Sequence, residues 1–88
     1  MQPSLRFSSS AWAHYTYWMV QDKATLRRIN TLIADAMRNP YEGIGKPEPL
    51  KHEFSGWWSR RIDQEHRMVY RLREQTLEIA ALRYHYGE

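Results

Sequence analysis

The chain has no cysteine, which removes disulfides, zinc–thiolate centres and thiol nucleophiles from consideration. No apolar run approaches the roughly 20 residues of a membrane-spanning helix. The opening Met1-Gln2-Pro3-Ser4-Leu5-Arg6 lacks the apolar stretch of a secretory signal. A cytoplasmic protein with no membrane contact is expected. No glycine-rich loop opens a helix after a strand, so a nucleotide-phosphate cradle is not expected. The histidines His14, His52, His66 and His85 show no His-x-x-x-His spacing, so neither a metal site nor a metal cofactor is expected. The central segment 43–52 carries a single carboxylate, Glu48, which argues against a paired-carboxylate glycosidase.

What the chain does have is aromatic weight: four Trp, six Tyr and two Phe in 88 residues. A chain of this length forms one domain, 1–88, and buries only roughly 60–65% of its unfolded surface, so large rings compensate for a small core. The net charge is +3, which fits a nucleic-acid ligand and an ordinary surface equally well. Residues 1–45 carry five Lys/Arg and three Asp/Glu, and residues 46–88 carry eight and seven. Any basic patch therefore depends on which face the residues occupy.

Along the chain, Leu5–Phe7 reads as a short strand. Ser8-Ser9-Ser10 offers hydroxyl caps for a helix running to Gln21. Trp12, Tyr15 and Met19 recur there at helical spacing, with Trp18 beside them, and His14 is expected on the helix surface. Asp22 can cap a second helix whose stripe is Leu26, Ile29, Leu32, Ile33, Ala36 and Met37. Lys23, Arg27, Arg28 and Arg38 fall off that stripe, and Asn39-Pro40 ends the helix. A meander follows, with strands expected at Leu50–Phe54, Trp57–Ile62, His66–Arg73 and Leu77–His85. In the third of these, His66, Met68, Tyr70 and Leu72 share the face that should meet the helices, and Arg67, Val69, Arg71 and Arg73 share a basic outer face. Periodicity does not assign the inner face of the last strand, where Leu77, Ile79 and Ala81 alternate with Ala80 and Leu82.

Between helices and meander lies Gly43-Ile44-Gly45-Lys46-Pro47-Glu48-Pro49-Leu50-Lys51-His52. Each proline restricts the residue before it to extended geometry. Glu48 is thus held on a stiff segment with Lys46 and Lys51 nearby, as a general base acting on a polyanion would need. A solvated loop glutamate explains the same residues. Glu48, Lys46, Lys51, Arg60, Arg61, Arg67, Arg83, His85, Tyr84 and Tyr86 could converge on one face of the meander. That set suits RNA cleavage through the 2′-hydroxyl: a base, cations for the phosphoryl oxygens, an acid for the leaving 5′-oxygen, and rings to stack on splayed bases. A solvated basic sheet face is the competing reading.

Four runs carry a resemblance: Pro40 through His52, Ser55-Gly56-Trp57-Trp58-Ser59-Arg60-Arg61-Ile62, Glu65-His66-Arg67-Met68-Val69-Tyr70 and Arg83-Tyr84-His85-Tyr86. Together they closely resemble the YoeB toxins of the RelE superfamily of type II toxin–antitoxin systems, over nearly the whole chain. The resemblance implies an α+β, microbial-RNase-like fold, β-α-α-β-β-β-β, with two N-terminal helices packed on an antiparallel sheet. It implies an endoribonuclease that cuts mRNA in the A site of the 70S ribosome without metal or other cofactor. By resemblance Glu48 is the general base, His85 the general acid, Arg67 the phosphate-stabilising cation and Tyr86 a substrate-orienting residue. Lys46, Lys51, Arg61, Arg83 and Tyr84 are RNA contacts. The implied partners are a YefM-like antitoxin and a second copy of the chain, with DNA met only through the antitoxin. Familiar YoeB chains end at the tyrosine matching Tyr86, whereas Gly87 and Glu88 follow here. A non-catalytic module that occupies the A site, or a protein-binding module for an acidic partner, is the alternative. Neither would need Glu48, Arg67 and His85 together.

Overall fold

In the structure, a computed structural model, residues 2–85 are described. β1 (Ser4–Phe7) runs into α1 (Ser9–Gln21), with the Ser8 hydroxyl accepting the Ala11 N–H at 3.0 Å as N-cap. Asp22 ends α1 and starts α2 (Lys23–Arg38): its backbone is extended at φ −159°, and its carboxylate accepts the N–H groups of Ala24 and Thr25. Those bonds, that to Thr25 foremost, hold the Asp22 carboxyl below the usual carboxylate range.

The sheet contains β2 (Glu48–Pro49), β3 (Trp58–Arg61), β4 (Arg67–Arg73) and β5 (Thr76–Ala81) in the order β1-β5-β4-β3-β2. Pairing is antiparallel except between β1 and β5, which are parallel. The sheet is therefore mixed rather than wholly antiparallel. A parallel pair needs a long connection, and everything between β1 and β5 supplies it. The expected strand at Leu50–Phe54 is displaced. The edge strand is Glu48–Pro49, and His52–Phe54 forms one 3-10 turn. Pro49 is tolerated because β2 is the outermost strand and needs no donor on its free side.

The α2 stripe is buried as its spacing requires, with Ile29, Leu32, Ile33 and Ala36 in the core and Leu26 and Met37 packed against it. Each of the buried Ile29, Leu32 and Ile33 side chains contributes about 1.5–3 kcal/mol on burial. α1 departs from expectation. Ala11 and Trp18 are its buried residues, while Trp12 and Met19 are exposed. Trp12 instead stacks on Tyr15, with ring centroids 5.7 Å apart, and meets the Phe7 ring edge-on. The inward side of α1 is Ala11 and Trp18, with Tyr15 and Tyr17 packed against the core.

Met68 and Tyr70 of β4 face the helices, as their alternation implies. In β5, Leu77 and Ile79 face the helices too, but Ala81 joins Val69 and Leu50 on the opposite side, and Leu82 returns to the helix side. A β-bulge explains the change of phase. Ile79 pairs with Tyr70 and Ala81 with Val69, leaving Ala80 unpaired. One extra residue in a period-two pattern exchanges the faces, so no single alternation describes this strand. It ends at Ala81 rather than continuing to His85.

Arg60 faces the helices as well, not the basic outer face, and is fully buried. Its five N–H groups meet five acceptors. Nε donates to the Tyr70 hydroxyl at 3.0 Å, Nη1 to Asp35 at 2.6 Å and to the Ile44 carbonyl at 3.2 Å, and Nη2 to the carbonyls of Asn39 and Glu42 at 2.6 and 2.9 Å. The Tyr70 hydroxyl passes its own proton to the Pro40 carbonyl at 2.6 Å. The segment 39–44 is thus wound around one guanidinium, whose donors are all used. Gly43, at φ +124°, is required here, since a Cβ would lie 2.0 Å from the Asp35 carboxylate.

The hydrogen bond from Arg60, then that from the Ile44 N–H, hold the Asp35 carboxyl below the usual carboxylate range. A depressed carboxyl contributes stability that is whole above its unfolded value of about 3.9 and is lost as the pH falls through the lower folded value. Arg60→Ala is expected to destabilise the fold by about 3–5 kcal/mol, since it strands a carboxylate and several carbonyls. Urea unfolding at pH 7 measures the loss. The deficit should shrink as the pH falls through the Asp35 titration, because the variant no longer has that pair to lose.

Candidate active site

Cross-strand partners share a sheet face. Glu48 lies opposite Ser59, Ser59 opposite Val69, and Arg61 opposite Arg67. These five residues therefore occupy the face away from the helices. The edge strand Glu48–Pro49 stands where a loop is expected, and its paired backbone fixes the position of Glu48 more firmly than a loop would. Arg67 opens β4 and is only 8% exposed, while the Glu48 side chain is 57% exposed.

The third member comes from the segment beyond β5. Leu82 is pinned to α1: its N–H donates to His14 Nδ1 at 3.0 Å, and its carbonyl accepts Trp18 Nε1–H at 2.8 Å. Tyr84 is pinned to the start of β4: its N–H donates to His66 Nδ1 at 2.8 Å, and its carbonyl accepts the Arg67 N–H at 3.0 Å. Arg83, between them, lies 3.6 Å over the Tyr17 ring. His85 follows at once, and its Nε2 lies 3.1 Å from Arg67 Nη2. On its other side the Arg67 guanidinium reaches Glu48 Oε1 at 3.5 Å.

Arg67 thus stands between a carboxylate and an imidazole. A guanidinium only donates, so His85 Nε2 accepts here and carries no proton in this state. Arg67 Nε and the Ser59 hydroxyl are buried and bond nothing among the described residues. The long 3.5 Å ion pair leaves the buried cation partly uncompensated, and Lys46, Lys51 and Arg61 are exposed on segments bordering it. Such a place suits an oxyanion set between an acceptor and a potential proton donor.

The expected basic row is divided. Arg67 belongs to the arrangement above. Arg71 and Arg73 share Glu78 of β5 with Arg6, the shortest contact being Arg71 Nε to Glu78 at 2.6 Å. Arg71 also stacks 4.1 Å over Trp57. The hydrogen bond from Arg71 foremost, with Arg73 and Arg6 adding charge, holds the Glu78 carboxyl low. Of the remaining expected site residues, Arg83 is engaged with α1. Tyr84 exposes its ring, which meets those of His14 and His66 edge-on. Tyr86 lies outside the described residues. On the outer face of α2, Arg28 donates to the carbonyls of Arg61 and Ile62, and Arg38 pairs with Asp35. Sequence reasoning missed His14, Trp18, His66 and Glu78 as organisers of the site. The histidines were screened for metal spacing, not for service as backbone acceptors. Among the described residues no three His, Asp or Glu side chains gather as a metal site, and no helix is long and apolar enough to cross a membrane.

A family model for the YoeB-like toxin of bacterial type II toxin-antitoxin systems matches residues 7–86. The chain belongs to the YoeB toxin family. Toxin YoeB of Escherichia coli (strain K12) is 55% identical over 82 residues, 93% of this chain and 98% of that one. A YoeB dimer from Staphylococcus aureus superposes with a TM-score of 0.90 at 41% identity, covering 98% of this chain and 100% of that one. The toxin of a heterotetrameric YoeB-YefM complex from the same species gives a TM-score of 0.87 at 41% identity and the same coverage. The YoeB relationship accounts for the two helices on a five-stranded mixed sheet.

Proposed function

We propose that this YoeB-family toxin is a metal-independent endoribonuclease that works on the 70S ribosome and cuts mRNA in the A site. The observation that supports the reading is the meeting of Glu48 and His85 across the Arg67 guanidinium, at 3.5 and 3.1 Å. Glu48 takes the 2′-proton as general base. The 2′-oxygen forms its bond to phosphorus as the bond to the 5′-oxygen breaks. Arg67 receives the charge growing on the phosphoryl oxygens, and His85 protonates the departing 5′-oxygen. The products are a 2′,3′-cyclic phosphate and a 5′-hydroxyl. A phosphate competes for the guanidinium that now donates to His85 Nε2, which frees that nitrogen to carry the proton the step needs. Tyr86 is assigned to substrate orientation and Lys46, Lys51 and Arg61 to phosphate contacts. Arg83 adds charge beside the exposed ring of Tyr84, on which a base can stack. The three roles are filled by side chains, with no step left for a metal.

The acid–base pair separates this reading from a module that merely fills the A site. Glu48→Ala and His85→Ala are each expected to lower cleavage at least ~100-fold, within the span of general acid–base groups. Ribosome binding should persist, because the phosphate contacts remain. Arg67→Ala should slow the step as well. Cleavage should continue in chelator if enough Mg²⁺ remains to hold the ribosome together. Mapping of mRNA 5′ ends during translation reads all of these. Arrest by Glu48→Ala as complete as the parent's, with no new 5′ ends from either, makes the protein a blocker. Rapid cutting of naked mRNA removes the ribosome from the scheme.

We also propose a YefM-like antitoxin partner, which the YoeB-YefM complex from S. aureus supports, and that an acidic, flexible segment of it wraps the Arg67 face. The saturated complex should be inactive; full cleavage by it contradicts the assignment. Homodimer formation follows the S. aureus YoeB dimer and would cover apolar surface such as Trp12, Met19 and Val20. Sedimentation at micromolar concentration should find two chains per particle, and monomer alone counts against it.

A further inference from the structure

We propose that His14 and His66 are positioning residues that, as neutral imidazoles, latch the segment 82–84 and so set His85 against Arg67. The proposal deepens the nuclease reading and rests on it for the catalytic part only.

The bonds define the chemistry. A backbone amide has a single proton and only donates, so Nδ1 of each imidazole must present its lone pair to Leu82 or Tyr84. Each ring is then neutral, with its proton on Nε2. For His66 that nitrogen faces Glu65 Oε1 at 3.8 Å, which suits an N–H. Protonating either Nδ1 sets N–H against N–H and opens the latch. The segment's other hydrogen bonds among the described residues, the Leu82 carbonyl with Trp18 Nε1–H and the Tyr84 carbonyl with the Arg67 N–H, leave the Leu82 and Tyr84 amides to the two imidazoles. β5 has ended at Ala81. Tyr84 stands in the left-handed region at φ 73°, which a non-glycine residue keeps only where neighbours hold it. Its N–H to His66 and its carbonyl to Arg67 are such holds.

The groups facing the two rings come from three directions. From α1, Trp18 meets His66 edge-on at 4.9 Å, and the Tyr17 ring holds Arg83 near His14. From the turn before β4, the Glu65 carboxylate faces His66, and Asp63 accepts the His66 N–H at 2.7 Å. From the segment itself come the Tyr84 phenol, the Arg83 guanidinium and, one residue on, His85 beside Arg67. Burial first, then Arg83 and His66, push the His14 imidazole below the ordinary histidine value. The sign follows. Its neutral form is the one favoured by the fold, so the His14 latch is whole above about pH 6.5 and is lost as the pH falls through the lower folded value.

The test uses the full ¹⁵N-labelled chain, alone and on ribosomes. At pH 8, long-range ¹H–¹⁵N spectra should show both rings protonated on Nε2 with Nδ1 bare. Amide exchange at Leu82 and Tyr84, corrected for its intrinsic pH dependence, should be slow there and quicken as His14 titrates. His14→Ala and His66→Ala should each speed exchange at its own amide about 5–10-fold, as loss of one net hydrogen bond implies. Each should slow single-turnover cleavage with ribosome affinity unchanged. His14→Asn and His66→Asn place a non-titrating oxygen near Nδ1. They should restore exchange protection and rate, and in His14→Asn the Leu82 exchange should no longer quicken as the pH falls. An Nδ1-protonated tautomer in either ring, unchanged exchange in the alanine variants, or Leu82 exchange that still quickens on acidification in His14→Asn overturns the proposal. If no form cuts mRNA, the nuclease reading fails, and tautomer and exchange still decide the latch.

Discussion

The buried guanidinium of Arg60 is the constraint from which the rest of the site is built. A charge at zero exposure is tolerable only if every donor finds an acceptor, and the chain between α2 and β2 is shaped to supply them. Asn39, Glu42 and Ile44 give carbonyls, Asp35 gives the counter-charge, and Gly43 lets the backbone pass beside that carboxylate. The winding leaves the chain at Pro47-Glu48-Pro49 on the sheet edge. One residue later in β3, the side chain of Arg61 faces the other way, toward Arg67. Neighbouring arginines of like charge thus serve opposite faces, one as the hub of a loop and one as part of the candidate site.

The outer face has a matching economy of charge. Five arginines come close to it, and a single buried glutamate, Glu78, engages three of them: Arg6, Arg71 and Arg73. Of the other two, Arg61 is exposed, and the buried Arg67 is left with a long ion pair and an imidazole. A field that would otherwise be spread over the sheet is concentrated at one end, beside the exposed carboxylate of Glu48. For chemistry on a phosphodiester, concentrated and unspent charge matters more than the total, since transition-state stabilisation requires donors aimed at one place. The net charge of +3 gives no hint of this arrangement.

The C-terminal segment is held by a different means. Among the described residues, the Tyr84 carbonyl pairs with the Arg67 N–H, and side chains of α1 and of the β3–β4 turn hold the segment in alternation: Leu82 on α1, Tyr84 on the turn. Helices and sheet thereby both reach the residue beside Arg67. The helical layer not only covers the sheet but also orients a group on its far side.

Much of this was legible in the sequence. The 3.6-residue stripe of α2, the Ser8 and Asp22 caps, the hairpin turns and the alternation of β4 follow from local chemistry, and the structure keeps them. Glu48, Arg67 and His85 are candidates because the runs around them resemble the YoeB toxins, and the structure brings the three side chains together. Other features depended on distant partners. The parallel β1–β5 pair, the bulge at Ala80 that exchanges the faces of β5, and the shift of the edge strand to Glu48–Pro49 are decided by which strands meet, and period-two counting cannot register an extra residue. Arg60 and Arg61 are alike as letters, and only the pleat of β3 decides that one is buried against Asp35 and the other exposed. The same holds for His14 and His66. The sequence supplies two imidazoles, and tertiary packing alone brings each within hydrogen-bond reach of an amide 68 or 18 residues away.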